Sequence, residues 1–155
     1  MLSDFPRRFQ FHAWATARLV DALPAAGAEA ARSPLAHALV ADDVWLRRLQ
    51  GQSTHGVDLW PDLDAAACRA LARRNADGYA RYLRQLGDAD ERVRYTNSTG
   101  AAFDTAVGDV LDHVLLHAAH HRGQTSAALR QAGIAPPPVD FVAWVRAGAP
   151  SAETG

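Results

Sequence analysis

The stretch VLDHVLLHAAHHRGQ, residues 110–124, carries the strongest structural signal in the chain and four of its seven histidines. On a helical wheel at about 100° per residue, its apolar positions gather on one side. His121 lies about 40° from the centre of that side and His117 about 80° from it. His113 and His120 lie about 120–140° away, on the flank. The pattern predicts an amphipathic helix that turns His121 into a core and places His117 at its edge. The apolar positions are Val107, Val110, Leu111, Val114, Ala118, Ala128 and Leu129.

On either side of this segment, start and stop signals mark the ends of further helices. Ser33, Asp64 and Asp140 are suitable N-caps, Pro34 suits a first helical position, and prolines or glycines follow each long apolar segment. The segment RVRYTNSTGAAFDT, residues 92–105, alternates apolar and charged side chains around turn formers, which indicates a short β-hairpin or an extended loop. Four long helices with small connectors predict an all-α four-helix bundle. The predicted helices cover about 4–23, 34–50, 65–86, 105–132 and 141–146.

Composition excludes several functions. The formal net charge is -1, so no basic field favours nucleic-acid binding. The chain has no lysine, which rules out a Schiff-base lysine and a Walker-type phosphate loop. Cys68 is a single cysteine and cannot form an internal disulfide. No stretch resembles a signal core or a membrane span, so we expect no membrane partner and a cytoplasmic protein. We expect one domain over 1–147 and a flexible tail over 148–155.

Two histidines four residues apart on one helix face can bind a single metal ion, because their Cβ atoms stand about 5–6 Å apart. His117 and His121 form such a pair. The motif alone is weak and lacks the glutamate of a zincin protease, and such pairs are often surface or hydrogen-bonded residues. A third ligand must come from elsewhere, and His37 in the second helix is the candidate. Alone in its apolar setting, His37 would be a satisfied core residue.

Four stretches together resemble the DinB-like, damage-inducible bundle proteins, also called DinB/YfiT-like metalloenzymes. The second helix and the HHRGQ segment, residues 120–124, are the most specific elements. Leu116 and Thr16 depart from the asparagines that the family often carries there, which would bear on metal or substrate preference. The four stretches are FHAWATARLVDAL (11–23), LAHALVADDVWLRRLQG (35–51), HVLLHAAHHRGQTSAALRQAG (113–133) and PPPVDFVAWVR (136–146).

The resemblance implies an antiparallel four-helix bundle that acts as a homodimer, with a mononuclear site at His37, His117 and His121. Three imidazoles with open positions suit Zn²⁺ or Ni²⁺ first, and Fe²⁺ or Mn²⁺ as further options. The implied activity is metal-dependent thiol transfer or hydrolysis of a small molecule, with a low-molecular-weight thiol as a partner. Two alternatives stay open: a non-enzymatic metal-binding or stress-response module, and a plain helical scaffold without metal.

No catalytic residue can be named from the sequence. Asp42, Asp43 and His120 are candidates for a general base, although a solvated helix face would equally explain the two carboxylates. Gln124 is suited to orient a ligand histidine. Arg122 is expected to form a salt bridge within the bundle or to bind an anion. We further expect Gly123 to permit a close helix approach, and Trp14, Trp45 and Tyr79 to lie in the core. The role of His12 stays open, and simple exposure to solvent would explain it.

Overall fold

The computed structural model describes residues 4–149 and shows a mostly helical chain. The two strands form an antiparallel hairpin between the third and fourth helices. Within the described residues, no helix combines the length and the apolar character needed to cross a membrane. The predicted tail lies mostly outside the described residues. The elements are α1 (Phe5–Ala22), α2 (Glu29–Leu49), α3 (Ala65–Gln85), β1 (Arg92–Thr96), β2 (Ala102–Ala106), α4 (Val107–Gln131) and α5 (Phe141–Arg146).

Helices α1 and α2 each pack against both α3 and α4, because each presents a buried stripe at alternating spacings of three and four residues. The stripe of α1 continues past the helix end to Leu23, which is also buried. Each stripe is apolar at both ends and polar in the middle. The stripes are Phe5, Phe9, His12, Thr16, Leu19 and Leu23 in α1, and Leu35, Leu39, Asp42, Leu46 and Leu49 in α2.

The apolar core therefore falls into two clusters separated by buried polar side chains. One cluster contains Phe9 and Leu111, and the other contains Leu19 and Leu129. Along each of the four long helices, buried polar side chains lie between the residues of the two clusters, and we call them the polar layer. Because they are buried, their polar groups have to form hydrogen bonds with one another or with the backbone. The side chain of Asn75, for example, donates to the Leu39 carbonyl over 2.8 Å. The polar layer comprises His12, Thr16, Asp42, Asn75, Arg122 and Thr125.

The start of α2 differs from the prediction. The helix begins at Glu29 rather than after Ser33, and Pro34 lies inside it. Ala31 is buried four residues before Leu35, so the earlier start adds one turn to the apolar stripe. Proline lacks the N–H that would close one helical hydrogen bond, but only one bond near the helix start is lost. Ala28 precedes the helix in a left-handed conformation with φ of 54°.

The other boundaries follow the sequence signals closely. Asp64 caps α3, since its carboxylate accepts from the backbone N–H of Ala67 at 2.7 Å. Asp140 stands at the predicted N-cap of α5 but makes no side-chain capping bond. The predicted hairpin is present, and α4 begins at Val107 because the two residues before it belong to β2. There, Thr105 pairs with Val93 across the ladder.

Candidate metal centre

Three histidine side chains meet where α2 faces α4. The Nε2 atom of His117 lies 3.3 Å from Nε2 of His37 and 3.1 Å from Nε2 of His121. One ring nitrogen of each residue lies within 4.8 Å of those of the other two, so this group could hold a metal ion. The predicted set His37, His117 and His121 is thus brought together by the fold. Helix α4 contributes two members from successive turns, and α2 contributes the third.

Hydrogen bonds fix the proton position on two of these rings. Nδ1 of His37 lies 2.6 Å from the carbonyl oxygen of Leu59, which can only accept, so Nδ1 carries the hydrogen. Likewise, Nδ1 of His121 donates to the side-chain oxygen of Gln124 at 2.7 Å. In the neutral ring the Nε2 atom is then left with its lone pair. Both lone pairs point to the same small region, beside Nε2 of His117.

The spacing and charge of this group suit a cation. Two nitrogens about 2.0–2.1 Å from one ion, at angles of about 90–110°, stand about 2.8–3.4 Å apart. The measured separations of 3.1 and 3.3 Å from His117 lie in that interval. Burial and the neighbouring His121, His37 and His113 rings lower the pKa of His117 to about 4, so the ring is neutral near pH 7. Burial also lowers the pKa of His121. Neutral imidazoles are the form that binds metal.

The loop between α2 and α3 covers one side of the centre. The Trp60 ring stacks on His37 with centroids 3.8 Å apart and planes inclined by 7°. Trp60 is nevertheless 57% exposed, and His117 is partly exposed beside exposed His120. The centre therefore lies just below the surface, between α4 and this loop. A small molecule can approach such a site more readily than one in the middle of the core.

A second buried network lies within the polar layer. Arg122 donates from Nη1 to Nδ1 of His12 at 2.8 Å, because a guanidinium has no acceptor. His12 therefore carries its hydrogen on Nε2, which donates to Oδ2 of Asp42 at 2.9 Å. The role of His12, which the sequence left open, is not simple exposure to solvent, since it is only 5% exposed. The predicted salt bridge of Arg122 is replaced by this bond to a neutral ring, and the Asp42 charge reaches Arg122 through His12.

The remaining candidates have structural partners. The Asp43 carboxylate forms ion pairs with Arg47 at 2.7 Å and with Arg74 at 3.6 Å, so it takes part in ion pairs at the helix surface. Nε2 of exposed His120 accepts a hydrogen bond from the Gln124 amide at 3.1 Å. The prediction for Gly123 was wrong, because its missing Cβ would meet no neighbouring side chain within 4 Å.

The predicted neighbours of the site also have defined positions. Gln124 contacts His121 as expected of an orienting residue. Leu116, one of the two departures from the family pattern, is 69% exposed, whereas Thr16 is buried in the polar layer. Tyr79 lies in the core and Trp45 packs against it, as predicted. Trp14 is partly buried and lies against Phe11.

Sequence reasoning missed three residues that contribute to the histidine centre or to the polar layer. Leu59 acts through its carbonyl, which no side-chain pattern reveals, and Trp60 is brought over His37 by a loop of irregular structure. His12 could have been found, because it occupies a core position of the α1 stripe between Phe9 and Thr16. The same signal marks Asp42 in α2, where it stands between Leu39 and Leu46.

Comparisons with known proteins point to one family. The sequence profile described as DinB family matches residues 5–151. The chain is also 34% identical over 71 residues to Protein DinB of Bacillus subtilis (strain 168). That match covers 46% of this chain and 41% of the relative, so it spans less than half of either protein. No solved structure matches the chain.

Proposed function

The chain belongs to the DinB family, and on that premise we propose that it binds one divalent metal ion through His37, His117 and His121. We further propose that the bound metal serves an enzyme of thiol-transferase or hydrolase type that acts on a small molecule. The observation that carries the metal proposal is the pair of fixed tautomers. The Leu59 carbonyl and the Gln124 amide oxygen hold the Nδ1 hydrogens and leave Nε2 free on two rings.

Without a cation this arrangement is unfavourable. His117 has one hydrogen to share when neutral, and it stands beside two Nε2 lone pairs. At most one of these contacts can then be a hydrogen bond, and the Nε2 lone pair of the other ring is left without a donor. A buried polar atom without a partner costs about 1–3 kcal/mol. A metal ion bound by all three nitrogens removes that cost, which supports the assignment.

The donor set supports a choice of metal. Three imidazole nitrogens favour Zn²⁺ or Ni²⁺, with Fe²⁺ and Mn²⁺ as further options. When bound, such an ion acts as a Lewis acid and generates a hydroxide or thiolate nucleophile near neutral pH. The protein's part is to orient the rings: Leu59 fixes His37, and Gln124 fixes His121. Hydrogen bonds of this kind raise the basicity of ligand imidazoles.

The wider proposal concerns architecture and partners. The pairwise packing of α1 and α2 against α3 and α4 supports an antiparallel four-helix bundle, with α5 packed against α1. We place the protein in the cytoplasm as a homodimer, with a low-molecular-weight thiol as a partner, as the resemblance implies. The position of the histidines just below the surface supports a catalytic rather than a purely structural metal, since a catalytic ion needs an open coordination position.

Metal content tests the proposal. The protein is purified without a metal-binding tag, and metal per chain is measured by inorganic mass spectrometry for the wild type, His121→Ala and His120→Ala. His120 is the matched control, because it neighbours His121 but is exposed and does not belong to the group of three histidines that could hold a metal ion. We expect near one equivalent in the wild type and the control, and a large loss in His121→Ala.

Two outcomes would reject parts of the proposal. Less than about a tenth of an equivalent, unchanged after reconstitution with Zn²⁺, Ni²⁺, Fe²⁺ or Mn²⁺, rejects the metal site and favours a plain scaffold. A full equivalent with no water or thiol bound to it, as seen by X-ray absorption spectroscopy, favours the non-enzymatic stress-response module. Thiol transfer and ester hydrolysis are then assayed only with the metal that the measurement identifies.

A further inference from the structure

Arg48 is a buried cation without a counter-ion among the described residues. The residue is 9% exposed, and its Nε atom is buried with no hydrogen-bond partner. The guanidinium instead lies over two rings, 4.6 Å from the centroid of Trp45 and 5.1 Å from that of Tyr95. The nearby surface arginine Arg47, by contrast, is paired with a carboxylate.

This arrangement is costly in the free protein. A buried charge that lacks a partner is destabilised relative to water, and ring contacts recover only part of that cost. Burial lowers the pKa of Arg48, in line with incomplete compensation of its charge. An anion that reached the guanidinium would offset the cost. The energetics therefore call for a ligand of negative charge.

A cavity of about 890 Å³ opens beside Arg48. Its walls come from the α2–α3 loop, residues 51–57, and from the end of β1 with the hairpin turn, residues 94–100. Sites for small molecules typically have volumes of about 300–1,000 Å³. The walls are rich in hydroxyl and amide groups, among them Ser53, Thr54 and Thr96. A polar molecule fits such walls better than a hydrocarbon.

The charge of the walls favours an anion. The second arginine on the cavity wall, Arg94, already binds the Asp104 carboxylate at 3.0 Å. Asp104 also binds Arg92 at 2.6 Å, so its single negative charge is shared, whereas Arg48 has no carboxylate partner among the described residues. A carboxylate carries one negative charge and matches a guanidinium fork with two parallel hydrogen bonds. A phosphate also matches a guanidinium fork, so the titrations below have to separate the two anions.

A short path of rings joins this cavity to the histidine centre. The Trp45 ring, which lies under Arg48, is 5.1 Å from the His113 ring. His113 in turn stacks on His117 at 5.6 Å. None of His37, His117 and His121 lines the cavity, so the two features are neighbours rather than one pocket.

We propose that this cavity binds the carboxylate group of a polar small molecule, with Arg48 as the residue that pairs with it. Its identification with the substrate of the histidine centre rests on the function proposed above. The binding of a carboxylate at Arg48 does not rest on it. The substrate class that follows is a polar small molecule with a carboxylate at one end and its reactive group at the other.

Nuclear magnetic resonance can test this with a matched pair of probes. N-acetylglycine and its neutral amide, N-acetylglycinamide, differ only in the charged group. Each is titrated into ¹⁵N-labelled protein as purified, and again after dialysis against EDTA. We expect N-acetylglycine to shift the amide signals of residues 51–57 and 94–100 in both samples, and the amide to leave them in place. Inorganic phosphate is titrated in parallel, and tighter binding of phosphate than of N-acetylglycine overturns the choice of a carboxylate.

Variants identify the residue. Arg48→Gln is expected to weaken N-acetylglycine binding at least tenfold, whereas Arg48→Lys keeps part of the affinity because it keeps the charge. Arg47→Gln is the control, since it removes a neighbouring charge outside the cavity, and it should bind as the wild type does. The spectrum of each variant shows directly whether it is folded.

The proposal is overturned by equal binding in Arg48→Gln, by equal binding of the two probes, or by shifts confined to the surroundings of His117. It is also overturned if dialysis against EDTA abolishes binding, since the carboxylate was then on the metal. Failure of the metal proposal gives a different result: a protein without metal would still show the charge-dependent shifts at 51–57 and 94–100.

Discussion

His12 and Asp42 are thirty residues apart in the chain and share a buried hydrogen bond of 2.9 Å between Nε2 and Oδ2. Arg122 completes the network by donating a hydrogen bond to the other ring nitrogen of His12, Nδ1. The three side chains carry one positive and one negative charge with a neutral imidazole between them. The two charges therefore balance within the polar layer. The Arg122 cation and the Asp42 anion stabilise each other through the hydrogen bonds of the His12 ring.

Asp42→Asn is expected to lower the free energy of unfolding by about 3 kcal/mol, because it leaves the buried Arg122 cation without its anion. The substitution keeps the size of the side chain and removes only the charge. Urea unfolding followed by circular dichroism measures the loss. Asp43→Asn is the matched control: its carboxylate binds arginines at the helix surface, and such pairs contribute about 0–1 kcal/mol.

A double-mutant cycle separates the network from simple packing. Since Arg122→Met removes the stranded cation, Asp42→Asn with Arg122→Met should be more stable than Asp42→Asn alone. The coupling energy should exceed about 1 kcal/mol, as expected for residues within one network. Independent, additive losses from the two substitutions would contradict the network.

Much of the fold could be predicted because local rules dominate its helices. The N-cap Asp64, the hairpin and the termini of α5 follow from propensity and turn chemistry. The start of α2 could not, because Pro34 is a strong local signal that tertiary packing overrides. Burial of Ala31 favours one more turn, and a sequence cannot show how far the partner helices extend.

The candidate site was predictable to a similar depth. The spacing of His117 and His121 places both on one face, and helical geometry alone brings them together. The contact with His37, eighty residues from His117, depends on the relative placement of two helices. That placement is set by packing rather than by any local motif. The sequence of the second helix offered His37 as a candidate, and the resemblance to a known family selected it as the third ligand.

Gln124→Leu is expected to weaken metal binding by about 10–100-fold, the usual effect of losing a hydrogen bond behind a ligand histidine. The Nδ1 hydrogen of His121 would lose its acceptor, and the ring would be free to turn. Competition with a fluorescent zinc chelator measures the affinity. Gln131→Leu, at the exposed end of the same helix, should leave it unchanged. Equal affinities for the two variants would exclude an orienting role for Gln124.

The hairpin predicts a pH dependence. Hydrogen bonds from Arg92 and Arg94 lower the pKa of Asp104 below its ordinary value of 3.8. The folded carboxylate therefore binds a proton less readily than the unfolded one. The resulting stabilisation is complete above the unfolded pKa and is lost as the pH falls through the folded pKa. A carboxyl ¹³C titration should show Arg92→Gln raising the pKa of Asp104 and the distant Arg84→Gln leaving it unchanged. An unshifted pKa in Arg92→Gln would exclude the ion pair in solution.

Two helical glycines should respond oppositely to alanine. A Cβ at Gly78 of α3 would collide with the Leu46 side chain of α2, whereas a Cβ at Gly123 of α4 meets open space. Alanine in a helix interior is favoured over glycine by about 0.5–1 kcal/mol, and forcing extra volume into a packed core costs about 1–3 kcal/mol. Gly123→Ala is therefore expected to stabilise the protein by about 0.5–1 kcal/mol, and Gly78→Ala to destabilise it by about 1 kcal/mol.

The collision can be relieved to confirm its origin. In a Leu46→Ala background, Gly78→Ala should become neutral or stabilising, because the new Cβ then enters the vacated space. Urea unfolding of the wild type and the three variants of this cycle measures whether the effect of Gly78→Ala on stability changes sign. If Gly78→Ala destabilises equally in both backgrounds, the close approach of α2 and α3 at Leu46 is not what requires glycine there.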